Sequence, residues 1–263
     1  TYANAIFDNY TSMNSLSLIL GAVYFAFQIY GDFSGYSDMA LGMSKLFGLD
    51  LLRNFNYPYF SRDIAEFWRR WHISLSSWFR DYLYIPLGGS RGSKLKQVRN
   101  VFIIFVVSGF WHGANWTFLA WGFINAMYFL PSLLLGTNRT NMETAELHWD
   151  FNSIKVFFSI LATCWITCLA WIFVRANTIH IACDYIGKIF TNETFMSQFL
   201  QNQRYSYELL LLVLAFVLVE WNSRYKIEPI SGKYSWLKMT LCLLAIIALG
   251  TYADYKEFIY FQF

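Results

Sequence analysis

The chain has 263 residues, of which 56% are hydrophobic, 21% are aromatic and only 14% are charged, and its formal net charge is +3. Soluble domains carry roughly 25% charged residues, so this composition argues against a soluble protein and favours one that lies in a membrane. The expected partner of the chain is therefore a lipid bilayer, and we expect no nucleic-acid partner.

Apolar segments long enough to cross a bilayer recur along the chain. Four of them have the length and composition of single membrane-spanning helices: residues 16–30, 154–174, 209–221 and 237–251. A longer apolar run, residues 101–136, exceeds one span and predicts a hairpin or a re-entrant pair of helices broken near Gly113. The predicted fold class is therefore all-α: a polytopic membrane protein built as a multi-helix bundle.

A helix of a different kind is predicted to start after Pro58 and Ser61, with Asp63 in its first turn. Its apolar residues recur at spacings of four, three, four and three and form one stripe: Ile64, Trp68, Trp71, Leu75 and Trp78. The charged residues lie largely off this stripe: Arg62, Glu66, Arg69 and Arg70. This pattern is typical of a helix at a membrane interface, although an ordinary surface helix can carry the same charges. His72 lies beside the stripe and is predicted to face the margin of the membrane.

Basic residues are unevenly distributed and predict a topology. Between residues 53 and 99 there are nine Lys and Arg against three Asp and Glu, so the positive-inside rule places this region in the cytoplasm. A second basic loop, residues 224–238, should also be cytoplasmic. Counting spans from it places residues 178–207 and the C-terminal tail outside, and residues 137–152 inside. This order requires the run 101–136 to return to its starting side, which supports the hairpin, although the loop 137–152 is acidic.

The sequence Trp111-His112-Gly113 stands inside the longest apolar run. An ionisable side chain in the membrane is costly, which indicates a function, although a histidine hydrogen-bonded within a packed core is the alternative interpretation. A neutral imidazole can remove the proton of a hydroxyl as its oxygen attacks an activated acyl carbon. Ser108 could instead form a nucleophile–base pair with His112, but no third orienting group is evident. Zinc binding by His72 and His112 lacks further ligands at a recognisable spacing, so no metal is predicted.

The last six residues, Phe258 to Phe263, include four aromatic side chains. Aromatic residues at a chain end commonly anchor it at the membrane interface. The single hydroxyl among these rings, that of Tyr260, would also suit insertion into a groove of the membrane domain. Both interpretations are open from the residues alone.

Three motifs resemble the membrane-bound O-acyltransferase family, in its bacterial alginate and peptidoglycan O-acetyltransferase branch. They are residues 30–38 (YGDFSGYSD), residues 67–89 (FWRRWHISLSSWFRDYLYIPLGG) and residues 109–113 (GFWHG). The resemblance is dense over residues 28–122 and looser towards the C-terminus. It implies a single membrane domain over residues 1–263, with interfacial or re-entrant helices around a central tunnel. Because family members carry further spans before these motifs, we expect the chain to be the C-terminal part of a longer protein.

The resemblance also implies roles for individual residues. His112 matches the family's intramembrane catalytic histidine, in a tunnel that joins both faces, and His72 matches a second histidine near the cytoplasmic entry of the donor. The candidate substrate-binding residues stand close to these two in sequence: Arg69, Arg70, Trp71, Trp111 and Asn115.

The resemblance gives the tail, residues 252–263, a chemical role. Phe258, Tyr260 and Phe263 match the family's terminal F-x-Y-x-x-F pattern. In that scheme the Tyr260 phenol accepts the acyl group and presents it outside to a partner transferase. A phenol has a pKa near 10, so His112 would have to assist its deprotonation.

The function that follows as an expectation is acyl transfer across the cytoplasmic (inner) membrane of a bacterium, by a multi-pass O-acyltransferase. The acyl group, most simply acetyl, would come from acetyl-CoA or another cytoplasmic acyl thioester, with no cofactor bound. It would reach an extracellular polysaccharide such as alginate or peptidoglycan through an extracytoplasmic acyltransferase partner. The alternatives are D-alanyl transfer to teichoic acid, a transporter whose polar residues mark a permeation path, and a scaffold that only anchors an acyltransferase.

Overall fold

The computed structural model describes residues 2–145, 151–192, 206–226, 232 and 234–250, which contain ten α-helices and no β-strand. The helices are α1 (Tyr2–Asp8), α2 (Ser15–Leu46), α3 (Ile64–Arg70), α4 (Ile73–Phe79), α5 (Lys94–His112), α6 (Trp116–Leu135), α7 (Phe151–Arg175), α8 (Ile179–Thr191), α9 (Ser206–Ser223) and α10 (Ser235–Leu249). The all-α prediction is confirmed. The tail 252–263, including Tyr260, lies outside the described residues.

Three of the described helices are long and apolar enough to cross a membrane: Ser15–Leu46, Trp116–Leu135 and Asn152–Arg175. The spans predicted at 16–30 and 154–174 lie within two of them. The spans predicted near 209–221 and 237–251 form shorter apolar helices, Leu209–Ser223 and Ser235–Ala248. The described chain is thus a bundle of apolar helices, as expected of a polytopic membrane protein.

The apolar run 101–136 forms the predicted hairpin. Helix α5 ends at His112, and α6 begins at Trp116 after Asn115, whose side chain accepts a hydrogen bond from the Thr117 amide at 3.2 Å. The two helices lie in backbone contact because glycines face each other across the interface. A Cβ atom at Gly109 would overlap the carbonyl oxygen of Phe118, and one at Gly122 would overlap that of Phe105. Small residues of this kind let apolar helices pack closely in a membrane.

The interfacial helix predicted after Ser61 starts as expected but does not run through to Trp78. The Asp63 carboxylate caps α3 by accepting a hydrogen bond from the Glu66 amide at 2.7 Å. The helix then ends at Arg70, and His72 adopts a left-handed conformation, with φ 45° and ψ 57°, before α4 starts. The prediction of one continuous helix is therefore wrong at His72.

The break has a physical cause in the extended segment that precedes α3. The Asn56 amide donates to the Arg70 carbonyl at 3.0 Å, and the Ile73 amide donates to the Asn54 carbonyl at 2.9 Å. These bonds satisfy the backbone groups that the interruption leaves without helical partners. The break is therefore set by a contact distant in sequence, which the helical periodicity does not register.

Charged side chains of α3 are more buried than the sequence pattern predicts. Glu66 is 1% exposed and Arg70 is 7% exposed, so the charged face of the helix is buried at both residues as well as the apolar stripe. Glu66 accepts from the guanidinium groups of Arg62 at 3.0 Å and Arg70 at 2.8 Å. Both arginines also donate to the Glu143 carbonyl. Paired and hydrogen-bonded in this way, the buried charges are compensated.

These contacts place the loop after α6 at the same end of the bundle as the basic segment. Arg224, which follows α9, donates to the Ala145 carbonyl at 3.0 Å and so brings the start of the second basic loop to that end. The opposite end carries the turn between α5 and α6, where Asn115 donates to the Asn177 carbonyl at 3.2 Å. This order agrees with the charge-based arrangement of loops; the side of the membrane that each end faces stays a prediction.

Candidate active site

The two histidines of the sequence motifs meet in one cavity of about 150 Å³. Each is placed by a helix boundary: His72 at the break between α3 and α4, and His112 as the last residue of α5. Together with these two, the cavity is lined by Trp68, Trp71, Leu75, Ser76, Phe79, Ile104, Phe105 and Ser108. The cavity therefore combines two imidazoles and two hydroxyls with apolar and aromatic walls.

Aromatic rings hold both imidazoles in place. The His112 ring lies edge-on to Trp121, with ring centroids 5.3 Å apart, and 5.1 Å from Trp111. The His72 ring lies edge-on to Phe33 at 4.7 Å and 6.5 Å from Trp111. Trp111 thus contacts both histidines, although its side chain is largely exposed and does not line the cavity. Rings packed on two sides restrict the orientation of each imidazole.

A cluster of tryptophans forms the support behind this cavity. Trp121 of α6 stacks on Trp171 of α7, with centroids 5.5 Å apart, and Trp68 of α3 lies 5.7 Å from Trp121. Trp71 lies 4.9 Å from Trp171. Helices α3, α6 and α7 are therefore joined by large rigid side chains, one of which, Trp121, contacts the His112 ring. Aromatic contacts of this kind contribute about 0.5–1.5 kcal/mol each beyond the burial of their area.

Burial sets the charge of His72. It lowers the pKa of the His72 imidazole to about 3, with a smaller contribution in the same direction from nearby His112. His72 is therefore neutral at pH 7, with one nitrogen protonated and the other able to accept a hydrogen bond. A neutral imidazole is the form required for accepting a proton from a hydroxyl.

The predicted substrate-binding residues separate into two groups. Trp71 lines the histidine cavity, and Trp111 contacts both imidazoles. Arg69 donates instead to the carbonyl oxygens of Asn138 and Asn141, at 2.7 and 2.9 Å, and Arg70 is paired with Glu66. Asn115 fixes the turn of the hairpin. None of these last three predicted residues lines the histidine cavity.

A second cavity, of about 390 Å³, adjoins the first and was not predicted from the sequence. The two share lining residues Ser76, Ile104 and Phe105. Its basic side chains are Arg80, Lys94 and Arg139, which come from the end of α4, the start of α5 and the loop after α6. Helix α5 has 19 residues and is about 28 Å long, so its basic start and its terminal histidine stand at opposite ends of one helix.

The arrangement suits proton transfer at a hydroxyl between largely apolar and aromatic walls. Aromatic walls keep the dielectric constant low, which strengthens hydrogen bonds to the imidazoles. Across the described ranges, no three side chains of His, Cys, Asp and Glu are grouped as metal ligands. The polar side chains that line the cavity, His72, His112, Ser76 and Ser108, supply acid–base and hydrogen-bonding groups.

Comparison with known proteins follows the same residues. The sequence profile described as "MBOAT, membrane-bound O-acyltransferase family" matches residues 7–175. The chain is 35% identical to the "Probable alginate O-acetylase AlgI" of Pseudomonas putida over an alignment of 267 residues, gaps counted, that takes in 93% of this chain and 53% of that protein. It is 32% identical to the "Peptidoglycan O-acetyltransferase" of Helicobacter pylori over 288 residues, covering 100% of this chain and 52% of that protein.

A shorter match, 40% identity over 116 residues, is found with the "Teichoic acid D-alanyltransferase" of Streptococcus thermophilus, covering 41% of this chain and 28% of that protein. The chain spans about half the length of the alginate O-acetylase and of the peptidoglycan O-acetyltransferase that it matches. The residues that the family profile matches, 7–175, include both histidines, the hairpin that carries His112 and the break that carries His72. The chain therefore belongs to the membrane-bound O-acyltransferase family.

Proposed function

We propose that this chain forms the catalytic half of a multi-pass enzyme of the bacterial cytoplasmic membrane that transfers an acetyl group from a cytoplasmic thioester to an extracellular polysaccharide. The observation that carries the proposal is the shared cavity: His72 and His112 line one cavity, which adjoins a larger cavity with three basic side chains. An anionic donor bound by these basic side chains could then reach the two imidazoles through the region that the cavities share. The names of the longer relatives support acetyl transfer and a polysaccharide acceptor.

The chemical step uses the imidazole of His112 as a general base. His112 takes the proton of the acceptor hydroxyl as its oxygen attacks the carbonyl carbon of the thioester. The new C–O bond forms, the C–S bond breaks, and the imidazolium returns the proton to the departing thiolate. No oxidant or reductant is needed. His72, which lines the same cavity, orients the thioester or the hydroxyl by hydrogen bonding.

We place the donor in the basic cavity. Lys94 and Arg139 suit the phosphate groups of an anionic thioester such as acetyl-CoA, whereas the third basic side chain, Arg80, is paired with Asp81 at 2.7 Å. Ile104 and Phe105, which also line the histidine cavity, suit the uncharged arm of the donor. Arg69 and Arg70, by contrast, contribute to this site by holding the loop that carries Arg139. Acetyl is favoured over D-alanyl because the acetyltransferase relatives match far more of the chain than the D-alanyltransferases do.

Reversing the charge of Arg139 should weaken donor binding more than catalysis. In Arg139→Glu, the KM for acetyl-CoA should rise roughly tenfold with kcat changed less than about twofold, and the increase should shrink at high salt. Lys96→Glu is the matched control, because Lys96 is exposed on the first turn of α5 and does not line the cavity. Initial-rate measurements at two salt concentrations check this. An equal rise in the KM for acetyl-CoA in both variants would show that the donor does not bind in this cavity.

The tail supplies the proposed route to the outside. Tyr260 would receive the acetyl group from the thioester and pass it to a partner acyltransferase, which places it on the polysaccharide. The aromatic residues around Tyr260 would hold the tail against the membrane domain. The proposed order of transfer is thus thioester, tyrosine ester, polysaccharide ester.

The test of the function uses the full-length protein in membranes with acetyl-labelled thioester. We expect label in the polysaccharide and a mass increase of one acetyl group on the C-terminal peptide, located at Tyr260. Label in the polymer without an adduct would indicate direct transfer and leave Tyr260 as an anchor. Movement of an unmodified solute with no acyl transfer would instead support a transporter, and partner assembly that is unchanged when both histidines and Tyr260 are replaced would support a scaffold.

A further inference from the structure

A chain of hydrogen bonds links His72 to Asn54, which precedes α3, and to Ser37 on α2. The Nδ1 atom of His72 lies 3.5 Å from the Ser74 hydroxyl, which donates to the Asn54 Oδ1 atom at 2.6 Å. The Asn54 amide nitrogen in turn donates to the Ser37 hydroxyl at 3.3 Å. None of these three residues lines the histidine cavity, so Ser74 contacts His72 from outside it, and Asn54 and Ser37 stand behind Ser74.

The orientation of the Asn54 amide is fixed by its neighbours. The backbone amide of Ser74 lies 3.3 Å from the same Oδ1 atom, and a backbone N–H can only donate. The atom facing Ser74 is therefore the oxygen of Asn54, and the amide nitrogen faces Ser37. An amide flip would place two donors against each other, so this orientation is settled by the network itself.

The Ser74 hydroxyl has one hydrogen, and Asn54 receives it. Only a lone pair of Ser74 then remains for the Nδ1 atom of His72, so a hydrogen bond between them requires the proton on Nδ1. A neutral imidazole carries one ring proton, which leaves Nε2 as an acceptor. The distance of 3.5 Å is at the long end for a hydrogen bond, and such contacts commonly shorten when substrate binds.

The same asparagine also fixes the backbone on which His72 stands. Helix α4 begins directly after His72, whose side chain makes no capping hydrogen bond. Asn54 supplies the cap from outside the helix. Its backbone carbonyl accepts a hydrogen bond from the Ile73 amide at 2.9 Å, and its side-chain Oδ1 accepts one from the Ser74 amide. This external cap stabilises the left-handed conformation of His72 and leaves the imidazole available to the cavity.

We propose that Asn54 and Ser74 are positioning residues that hold His72 in the Nδ1–H tautomer, so that its Nε2 presents a lone pair to the reacting groups. The role rests on the proposed function of His72 in acyl transfer. In the same way, the tautomer of a catalytic or metal-binding histidine is set by the group that hydrogen-bonds its other ring nitrogen. Ser74 acts through His72 and does not contact substrate.

The test is ¹⁵N NMR of the histidine-labelled, full-length protein, combined with acyl-transfer kinetics. The His72 signals are identified by their loss in His72→Gln. In the wild type we expect a protonated Nδ1 and an unprotonated Nε2. Ser74→Ala should shift the population towards the Nε2–H tautomer and lower kcat about tenfold, less than the roughly 100-fold loss expected for a missing base, with little change in the donor KM.

Two further variants separate tautomer control from simple damage to the helix. Ser74→Thr keeps the hydroxyl and should restore both the tautomer and the rate, whereas Ser77→Ala, on the same helix, should change neither. An Nε2–H tautomer in the wild type, or a tautomer unaffected by Ser74→Ala, would overturn the inference. If the protein showed no acyl-transfer activity, the proposed function would be refuted. The NMR spectra would still show which tautomer His72 adopts and whether Ser74 sets it, because they report the tautomer directly.

Discussion

Replacing His112 with alanine should lower acyl transfer at least roughly 100-fold, with the protein still folded and inserted in the membrane. The His112 imidazole is the proposed general base, and it stands where α5 ends beside the cavity. The only other imidazole that lines this cavity is that of His72. Transfer of labelled acetyl groups to the polysaccharide, normalised to the amount of protein in the membrane, is the measurement.

Two variants make this result specific. His180→Ala removes an exposed histidine at the start of α8 and should leave the rate unchanged. His112→Gln keeps most of the volume that packs against Trp121 and should be as inactive as alanine, because an amide does not accept a proton at neutral pH. A glutamine variant with near-normal transfer would show that His112 acts through packing and would remove it from the chemistry.

Replacing Gly122 with alanine should destabilise the protein by about 3 kcal/mol or more. The added methyl group would overlap the backbone carbonyl of Phe105, and backbone atoms on a paired helix cannot rotate away as a flexible side chain can. Helices α5 and α6 would have to separate, which displaces His112. Thermal unfolding of the purified protein in detergent measures the loss, and acyl transfer should fall with it.

Gly187→Ala is the matched control for this substitution. Gly187 also lies within a helix, α8, but nothing stands within 4 Å of the position that its Cβ would occupy. Alanine there should be neutral or stabilising by up to about 1 kcal/mol, because it restricts the unfolded chain and favours the helix. If the two variants unfolded alike, the close approach of α5 and α6 would not be important for stability.

The fold was predictable where one physical signal dominates. The apolar run 101–136 is too long for one span and has Gly113 near its middle, and it forms a hairpin. The interfacial helix was predictable only in part, because the apolar periodicity of the sequence continues across His72 whereas the helical conformation is interrupted there. The bonds that interrupt it come from Asn54 and Asn56, in a segment without regular structure, and a local pattern holds no information about them.

The candidate site was predicted unevenly for a similar reason. His72, His112 and Trp71 stand in long motifs, and the structure brings them to one cavity. Arg69 and Arg70 stand beside His72 in the same motif and were predicted to bind substrate, yet arginine also satisfies backbone carbonyls, and the loop after α6 that offers them has no recognisable pattern. Arg139 was missed, although the hairpin itself could have indicated that residues just before α5 and just after α6 lie side by side.

The position of His112 as the final residue of α5 limits how this hairpin can vary in length. Each residue added to an α-helix rotates everything beyond it by about 100° and advances it by about 1.5 Å. An insertion between Gly109 and His112 would keep the glycine contact with α6 and turn the imidazole away from the cavity. An insertion in the loop after α6 has no such effect on either histidine. Variation in length among such chains is therefore expected in that loop, while the distance in residues from the packing glycine to the histidine stays fixed.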